Sequence, residues 1–251
     1  VKIKYIFETH FHADFVSGHL DLVKRTGASI IYGPNAEATF DFHKGQDGEL
    51  FQLGDISITL LHTPGHTMES SCFLLKDEEN KNHCVFTGDT LFVGDVGRPD
   101  LAVKAGHITQ EDLAGYLFDS IHTKLMPLED NVIVFPGHGA GSACGKNIGT
   151  EMSSTIGEQK QTNYALQDIS KDKFIEEVTN GLLAPPSYFF TDVSMNKNGY
   201  EDIDEVLDRN LNPMTYTDII KAQANGACLL DTREPSDFRK GFAKGSINIG
   251  L

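Results

Sequence analysis

The chain has 251 residues, 21 of them basic and 36 acidic, for a net charge of −15. That balance excludes a basic nucleic-acid surface and a polybasic membrane anchor, both of which need local Lys/Arg density. A content of 39% hydrophobic and 23% charged residues is that of a soluble folded protein. At about 150 residues per domain the length gives about 1.7 domains, so one full domain and a smaller piece are expected.

In chain order, Val1–Phe7 reads as a strand, with Ile3, Tyr5 and Phe7 alternating against Lys2 and Lys4. An amphipathic helix follows, with Val16, Leu20 and Val23 on one face and Gly27 as its stop. Ser29–Tyr32 is a strand, and Gly33–Pro34 opens a second short helix around Asn35–His43. Leu50–Leu53 and Ile56–Leu61 form a hairpin about Gly54–Asp55, and Ser71–Leu75 pairs with Cys84–Thr87 across a polar turn. Thr109–Leu125 is helical and Val132–Phe135 is a continuous apolar strand. Hairpin-paired strands with helices between them predict an α/β sandwich rather than a doubly wound sheet.

From about Ser170 the texture changes. Lys171–Asn180 reads as a helix, and Asp192–Asn212 is polar and poorly patterned. Beyond Pro213 a helix at Thr217–Asn225, a strand at Ala227–Asp231, a helix at Pro235–Lys240 and a final apolar strand are expected. Both ends read as cut: there is no initiator Met, and the last strand has nothing after it to pair with. No apolar run approaches the roughly 18 residues of a membrane span, and VKIKYIF lacks a signal-peptide layout. Cys72, Cys84 and Cys228 read as reduced, small hydrophobes, which points to a cytoplasmic location. Cys144, in the Gly-rich loop GAGSACGK, stands apart from them.

Three strand-end segments carry chemistry: Thr9-His10-Phe11-His12-Ala13-Asp14, Thr63-Pro64-Gly65-His66-Thr67 and Gly88-Asp89-Thr90. A lone histidine after a strand is usually structural. Three loops bringing His, His and Asp to strand ends have the layout of a metal site, whose ligands come from separate loops so that a coordination face stays open. His19, His43, His62, His83, His107 and His122 lack a partner motif and read as structural or surface residues.

In that order and spacing, HFHADF, TPGHT, GDT and FPGHG resemble the motifs of the metallo-β-lactamase fold over about residues 1–165. Within it, ETHFHADF, GDTLFVGDVGRPDL and PGHGAGSACGK resemble persulfide dioxygenases of the bacterial type fused to rhodanese-like domains. The resemblance implies an αββα sandwich and one non-haem Fe(II), with Zn as a substitute. It also implies oxidation of a glutathione-type persulfide by O₂ to sulfite and thiol. The implied metal ligands are His10, His66 and Asp89. His12, Asp14 and His138 match positions that ligate metal in dinuclear relatives, and here they are read as outer groups or extra ligands. Dinuclear members carry a further histidine where this chain has Phe15, and a phenyl ring cannot donate to a metal.

Arg98, in GRPD, is the expected holder of an anionic thiol, since a guanidinium matches a carboxylate bidentately, and Lys146 is a second candidate. No side-chain nucleophile is expected. Leu229-Leu230-Asp231-Thr232-Arg233 through GFAKGSINIGL resembles the opening of a rhodanese domain that stops before any persulfide-forming cysteine. The expected organisation is therefore a metallo-β-lactamase-like domain at 1–165 without its N-terminal strands, a connector at 166–212 and a truncated rhodanese-like α/β segment at 213–251. The expected partners are a small-molecule persulfide and O₂, with no nucleic acid and no membrane, and homo-oligomerisation is left open. Two other readings stand beside this one: a zinc-dependent glutathione thioester hydrolase of the glyoxalase II kind, and a catalytically incomplete scaffold fragment.

Overall fold

Alternating apolar residues build two sheets, seen in a computed structural model that describes residues 2–103 and 107–250. The first sheet holds β1 (Tyr5–Phe7), β2 (Ser29–Tyr32) and β3 (His43–Lys44), all parallel. Helix α1 (His19–Thr26) connects β1 to β2 and lays Leu20 and Val23 on Ile6, Ile30 and Tyr32. It stops at Gly27, whose φ of +68° is the left-handed cap that ends a helix cheaply only at glycine.

The second sheet runs β4 (Leu50–Leu53), β5 (Ile56–His62), β6 (Ser71–Lys76), β7 (Asn82–Gly88), β8 (Ile133–Pro136) and β9 (Ser154–Thr155), in that order. Its neighbours are antiparallel except β7 and β8, which are joined through α2 (Gln110–Ser120). Thr109 caps α2 in a reciprocal box with Asp112. The period of two in each strand separates two cores. Phe51, Ile58, Leu60 and Phe73 face the first sheet and meet Ile31 there. Cys72, Leu74, Val85 and Val134 face outward, under α2 and α4 (Lys171–Thr179), and meet Leu117, Phe174 and Ile156, the first residue of α3 (Ile156–Thr162). The layers are helix, sheet, sheet and helix.

The short helix expected over Asn35–His43 does not form. Asn35 sits at φ +65°, and the Thr39 N–H bonds the Lys197 carbonyl, so the segment runs irregularly along α5 (Phe189–Asn198) into β3. Phe40 and Phe42 still reach the first core. The polar stretch after Asp192 is also more regular than its composition predicts, for it contains most of α5 and all of α6 (Ile203–Asn210).

The chain divides into two compact units, Val1–Tyr200 and Glu201–Leu251. The division falls inside the expected connector 166–212, whose Phe174, Val178 and Phe189 are buried within the first unit. The second unit contains α6, α7 (Tyr216–Ala224), β10 (Leu229–Asp231), α8 (Pro235–Phe238) and β11 (Ser246–Asn248). Its last strand does have a partner: β11 pairs in parallel with β10, Leu230 opposite Ile247. No described residue of this unit is buried, and Cys228, expected as a small hydrophobe, is exposed. Among the described residues, no helix is long and apolar enough to cross a membrane.

Candidate metal centre

Four strands of the first unit end at one rim, and each delivers a ligand-type side chain. The loop after β1 carries His10, His12 and Asp14; those after β5, β7 and β8 carry His66, Asp89 and His138. Asp89 Oδ2 is the point of convergence, lying 3.8 Å from His10 Nε2, 3.4 Å from His66 Nε2 and 3.3 Å from His138 Nε2. His138 Nε2 is also 3.4 Å from Asp14 Oδ2. Donor atoms lie within 4.8 Å of one another in three overlapping sets: His10–His12–Asp89, His12–Asp14–His138 and His66–Asp89–Cys144.

Neighbouring groups orient the inner imidazoles. Thr9 Oγ1 lies 3.0 Å from His10 Nδ1, and His66 Nδ1–H donates to the Arg98 carbonyl at 2.9 Å. A ring nitrogen held this way fixes the ring and turns the other nitrogen toward a metal. Gly88 supplies the close approach before Asp89: its φ is +50°, and a Cβ there would stand 2.5 Å from Thr9 Oγ1.

One positioning residue is invisible in the sequence. Asn196, on α5 and fully buried, donates from Nδ2 to the carbonyls of His12 and Phe15, both at 2.8 Å. Its Oδ1 accepts from Ser17 N–H at 2.9 Å. One side chain thus staples the His12–Asp14 loop from some 180 residues away, and nothing local to a polar stretch signals that.

The residues fit a divalent cation. His10 and His66 are each 1% exposed and each leaves Nε2 without a hydrogen-bond partner; Asp89 is equally buried and leaves both carboxylate oxygens unpaired. A buried carboxylate without donors is costly, and a cation at the convergence of these atoms removes the cost. A Cβ on Gly137 would lie 2.5 Å from Asp89 Oδ1, so this position keeps the carboxylate's surroundings clear. The electrostatics agree. Burial would raise the Asp89 pKa, but His10, His138 and His66 outweigh it and hold the carboxyl well below the ordinary range. Burial, reinforced by His12, pushes His10 far down, and burial brings His12 to about 4, so both imidazoles are neutral and able to ligate. His138 shifts up despite its burial, through the Asp89 carboxylate 3.3 Å away and the Asp14 charge.

Phe15 lies against His12, ring centroids 4.3 Å apart and the rings tilted by 30°, and stands 6.3 Å from His138. Beside it opens a cavity of about 550 Å³ lined by His12, Phe15, Phe73, Phe86 and Phe135.

The two cations expected to hold substrate are otherwise engaged. Arg98 is 5% exposed; its Nε and Nη2 donate to the two Asp100 oxygens at 2.6 and 2.7 Å, Nη1 to the Ala143 carbonyl and Nη2 also to the Leu183 carbonyl. Its charge is neutralised inside the fold, so it ties three loops together instead of presenting a free fork. Lys146 Nζ donates to the carbonyls of Glu177 and Asn180 at the C-terminal end of α4, where a cation offsets the unpaired helix carbonyls. Of the remaining histidines, His62 bonds the Met68 carbonyl, His122 stacks on Phe118, His43 pairs with Glu49 and His19 is buried in the first core. His83 and His107 are exposed.

A family model described as the metallo-beta-lactamase superfamily matches residues 1–138. The chain belongs to that superfamily. It is 34% identical over 138 residues to a probable hydroxyacylglutathione hydrolase of Schizosaccharomyces pombe, covering 55% of this chain and 49% of that protein. The chain thus spans about half the length of the curated relatives it matches first. Among solved structures, a metallo-beta-lactamase from Staphylococcus aureus superposes with a TM-score of 0.79 at 32% identity, covering all of this chain and 70% of that one. ETHE1 from Myxococcus xanthus superposes with a TM-score of 0.64 at 28% identity, covering 78% and 77%.

Proposed function

We propose that the chain is a mononuclear non-haem iron persulfide dioxygenase, with His10, His66 and Asp89 as the iron ligands. The observation that carries this reading is Phe15. Its ring lies against His12, where dinuclear members place a nitrogen donor, so a second metal is one ligand short. The 2-His-1-carboxylate set with open positions suits Fe(II) and O₂. The motif resemblance of ETHFHADF and GDTLFVGDVGRPDL to persulfide dioxygenases supplies the substrate class.

Iron held there supplies affinity for O₂ and a path for electrons from the persulfide sulfur. The overall conversion takes persulfide, O₂ and one water to thiol, sulfite and two protons: the outer sulfur is oxidised and O₂ is reduced. The chain's own residues do the rest. Thr9 and the Arg98 carbonyl fix the imidazoles, Phe15 and Phe92 flank the site with apolar surface, and His138 Nε2, between Asp14 and Asp89, is the atom that takes up a released proton. The parallel β10–β11 pair around α8 supports the rhodanese-like reading of the second unit, which carries none of these residues.

A second reading, a zinc-dependent glutathione thioester hydrolase, draws on a separate observation. His12, Asp14 and His138 have donor atoms within 4.8 Å of one another and lie next to the first set. The hydroxyacylglutathione hydrolase relative favours it as well. Anaerobic loading with Fe(II), followed by glutathione persulfide and air, separates the two. The first reading expects O₂ uptake and sulfite release. Absence of both from the loaded, folded protein, together with hydrolysis of a glutathione thioester by the zinc form, establishes the second.

A further inference from the structure

Cys144 is the one cysteine whose sequence context departs from the other three, and neither reading above gives it a task. It lies in the Gly-rich loop after β8, 1% exposed, in an apolar cluster with Ala13, Phe92 and Phe189. Its Sγ, a His66 ring nitrogen and an Asp89 oxygen are all within 4.8 Å of one another, and all three residues are buried. The sulfur therefore sits beside unsatisfied donor atoms: His66 Nε2 and both Asp89 oxygens are buried and unpartnered.

We infer that Cys144 is a thiolate ligand of the metal, joining His66 and Asp89 from the side of the GAGSACGK loop. Burial and the Asp89 and Asp14 charges push the free Cys144 thiol up, so a thiolate is favoured there only with the cation in place. A divalent cation bound by neutral imidazoles and one carboxylate leaves a net positive charge in a buried site, and one thiolate neutralises it. The loop is built to hold the sulfur in place. Arg98 N–H donates to the Cys144 carbonyl at 2.9 Å, Cys144 N–H donates to Ser142 Oγ at 3.1 Å, and Arg98 Nη1 grips the Ala143 carbonyl. The Arg98–Asp100 tie therefore positions both a nitrogen ligand, through the His66–Arg98 bond, and a sulfur ligand, through this loop. A soft sulfur donor biases the set toward softer divalent ions than His and Asp alone select. The assignment rests on the metal centre and on neither reaction.

Cobalt(II) titrated into the apo full-length chain tests it through absorption. Wild-type protein is expected to show a near-ultraviolet sulfur-to-cobalt charge-transfer band. Cys144→Ser is expected to lose that band while keeping the visible ligand-field bands, with cobalt affinity weaker by about tenfold. Cys84→Ser is expected to match wild type. X-ray absorption on the wild-type cobalt protein reads the same point without any variant, as a sulfur shell at about 2.3 Å. A charge-transfer band that survives in Cys144→Ser, or a wild-type shell of nitrogen and oxygen only, overturns the assignment. Either failure leaves O₂ uptake and sulfite release untouched as the separate test of the dioxygenase.

Discussion

Arg98 shows how the residue scale redirects a charge argument. In a chain of net charge −15 a buried guanidinium near the metal motifs reads as an anion receptor, yet its partner Asp100 sits two residues away in the same loop. A buried bidentate pair is expensive to break from either end, because the survivor is left as an unpaired charge. Arg98→Ala and Asp100→Ala are each expected to lower unfolding free energy by about 3 kcal/mol. The double variant should lose clearly less than the sum, read from urea melts. Additive losses would mean that the pair is not coupled. His19 makes a second case. Burial brings its pKa down to about 4 from 6.5, so between those values the unfolded chain binds more protons than the folded one. Its contribution is complete above pH 6.5 and lost as pH falls toward 4, at up to about 1.4 kcal/mol per unit. Glu8, pushed up to about 7 by burial, works in the opposite sense, with stability lost as pH rises from 4.5 to 7. Comparing His19→Phe with the parent isolates the histidine: the variant's stability relative to the parent should rise steadily as pH drops from 6.5 to 4. A pH-independent difference would contradict the buried neutral imidazole.

At the scale of elements, α5 decides how the metal loop is held. Asn196 answers the carbonyls of His12 and Phe15 and the N–H of Ser17 at once. Asn196→Ala leaves three backbone groups unpaired, the Ser17 N–H buried and the His12 and Phe15 carbonyls partly so, and is expected to cost about 2–3 kcal/mol. It should also weaken metal binding by roughly tenfold, because the His12–Asp14 loop loses its outer support. Unchanged metal affinity in a folded variant would show that the staple serves stability alone. This element also marks where sequence legibility stops. Strands β2 and β4 through β8 are readable as short apolar runs, alternating in β5 and continuous in β8, most of them bounded by glycine or polar turns. Helix α1 is readable because Gly27 ends it. The Asn35–His43 segment misleads, since Phe40 and Phe42 are spaced for burial but Thr39 donates its N–H and hydroxyl to carbonyls of α5 instead of to a helical turn. Helix α5 itself is hidden because its buried contacts include an asparagine, and a polar residue that packs through three hydrogen bonds leaves no hydrophobic signature. The rim of ligand-type side chains was legible as motifs. Its geometric centre on Asp89, the proximity of Cys144 and the self-neutralised Arg98 were not, because each depends on distances across loops.

For the molecule as a whole, every candidate ligand found among the described residues lies in the first unit, in loops that follow strands of the two facing sheets, and several of the donors are buried and unpartnered. The basic side chains Arg98 and Lys146 near the site tie loops and cap α4, so on the proposed reading the metal itself would be the local positive charge for an anionic thiol. The central claim is one metal per chain, iron, at His10, His66 and Asp89, with Phe15 blocking a complete second site. Elemental analysis of anaerobically purified, full-length protein, paired with anomalous scattering from its crystals, tests it most directly. The account predicts about one iron per chain and a single anomalous peak beside Asp89. Two peaks a few ångströms apart, with two zinc or mixed ions per chain and His12, Asp14 and His138 around the second, would contradict it.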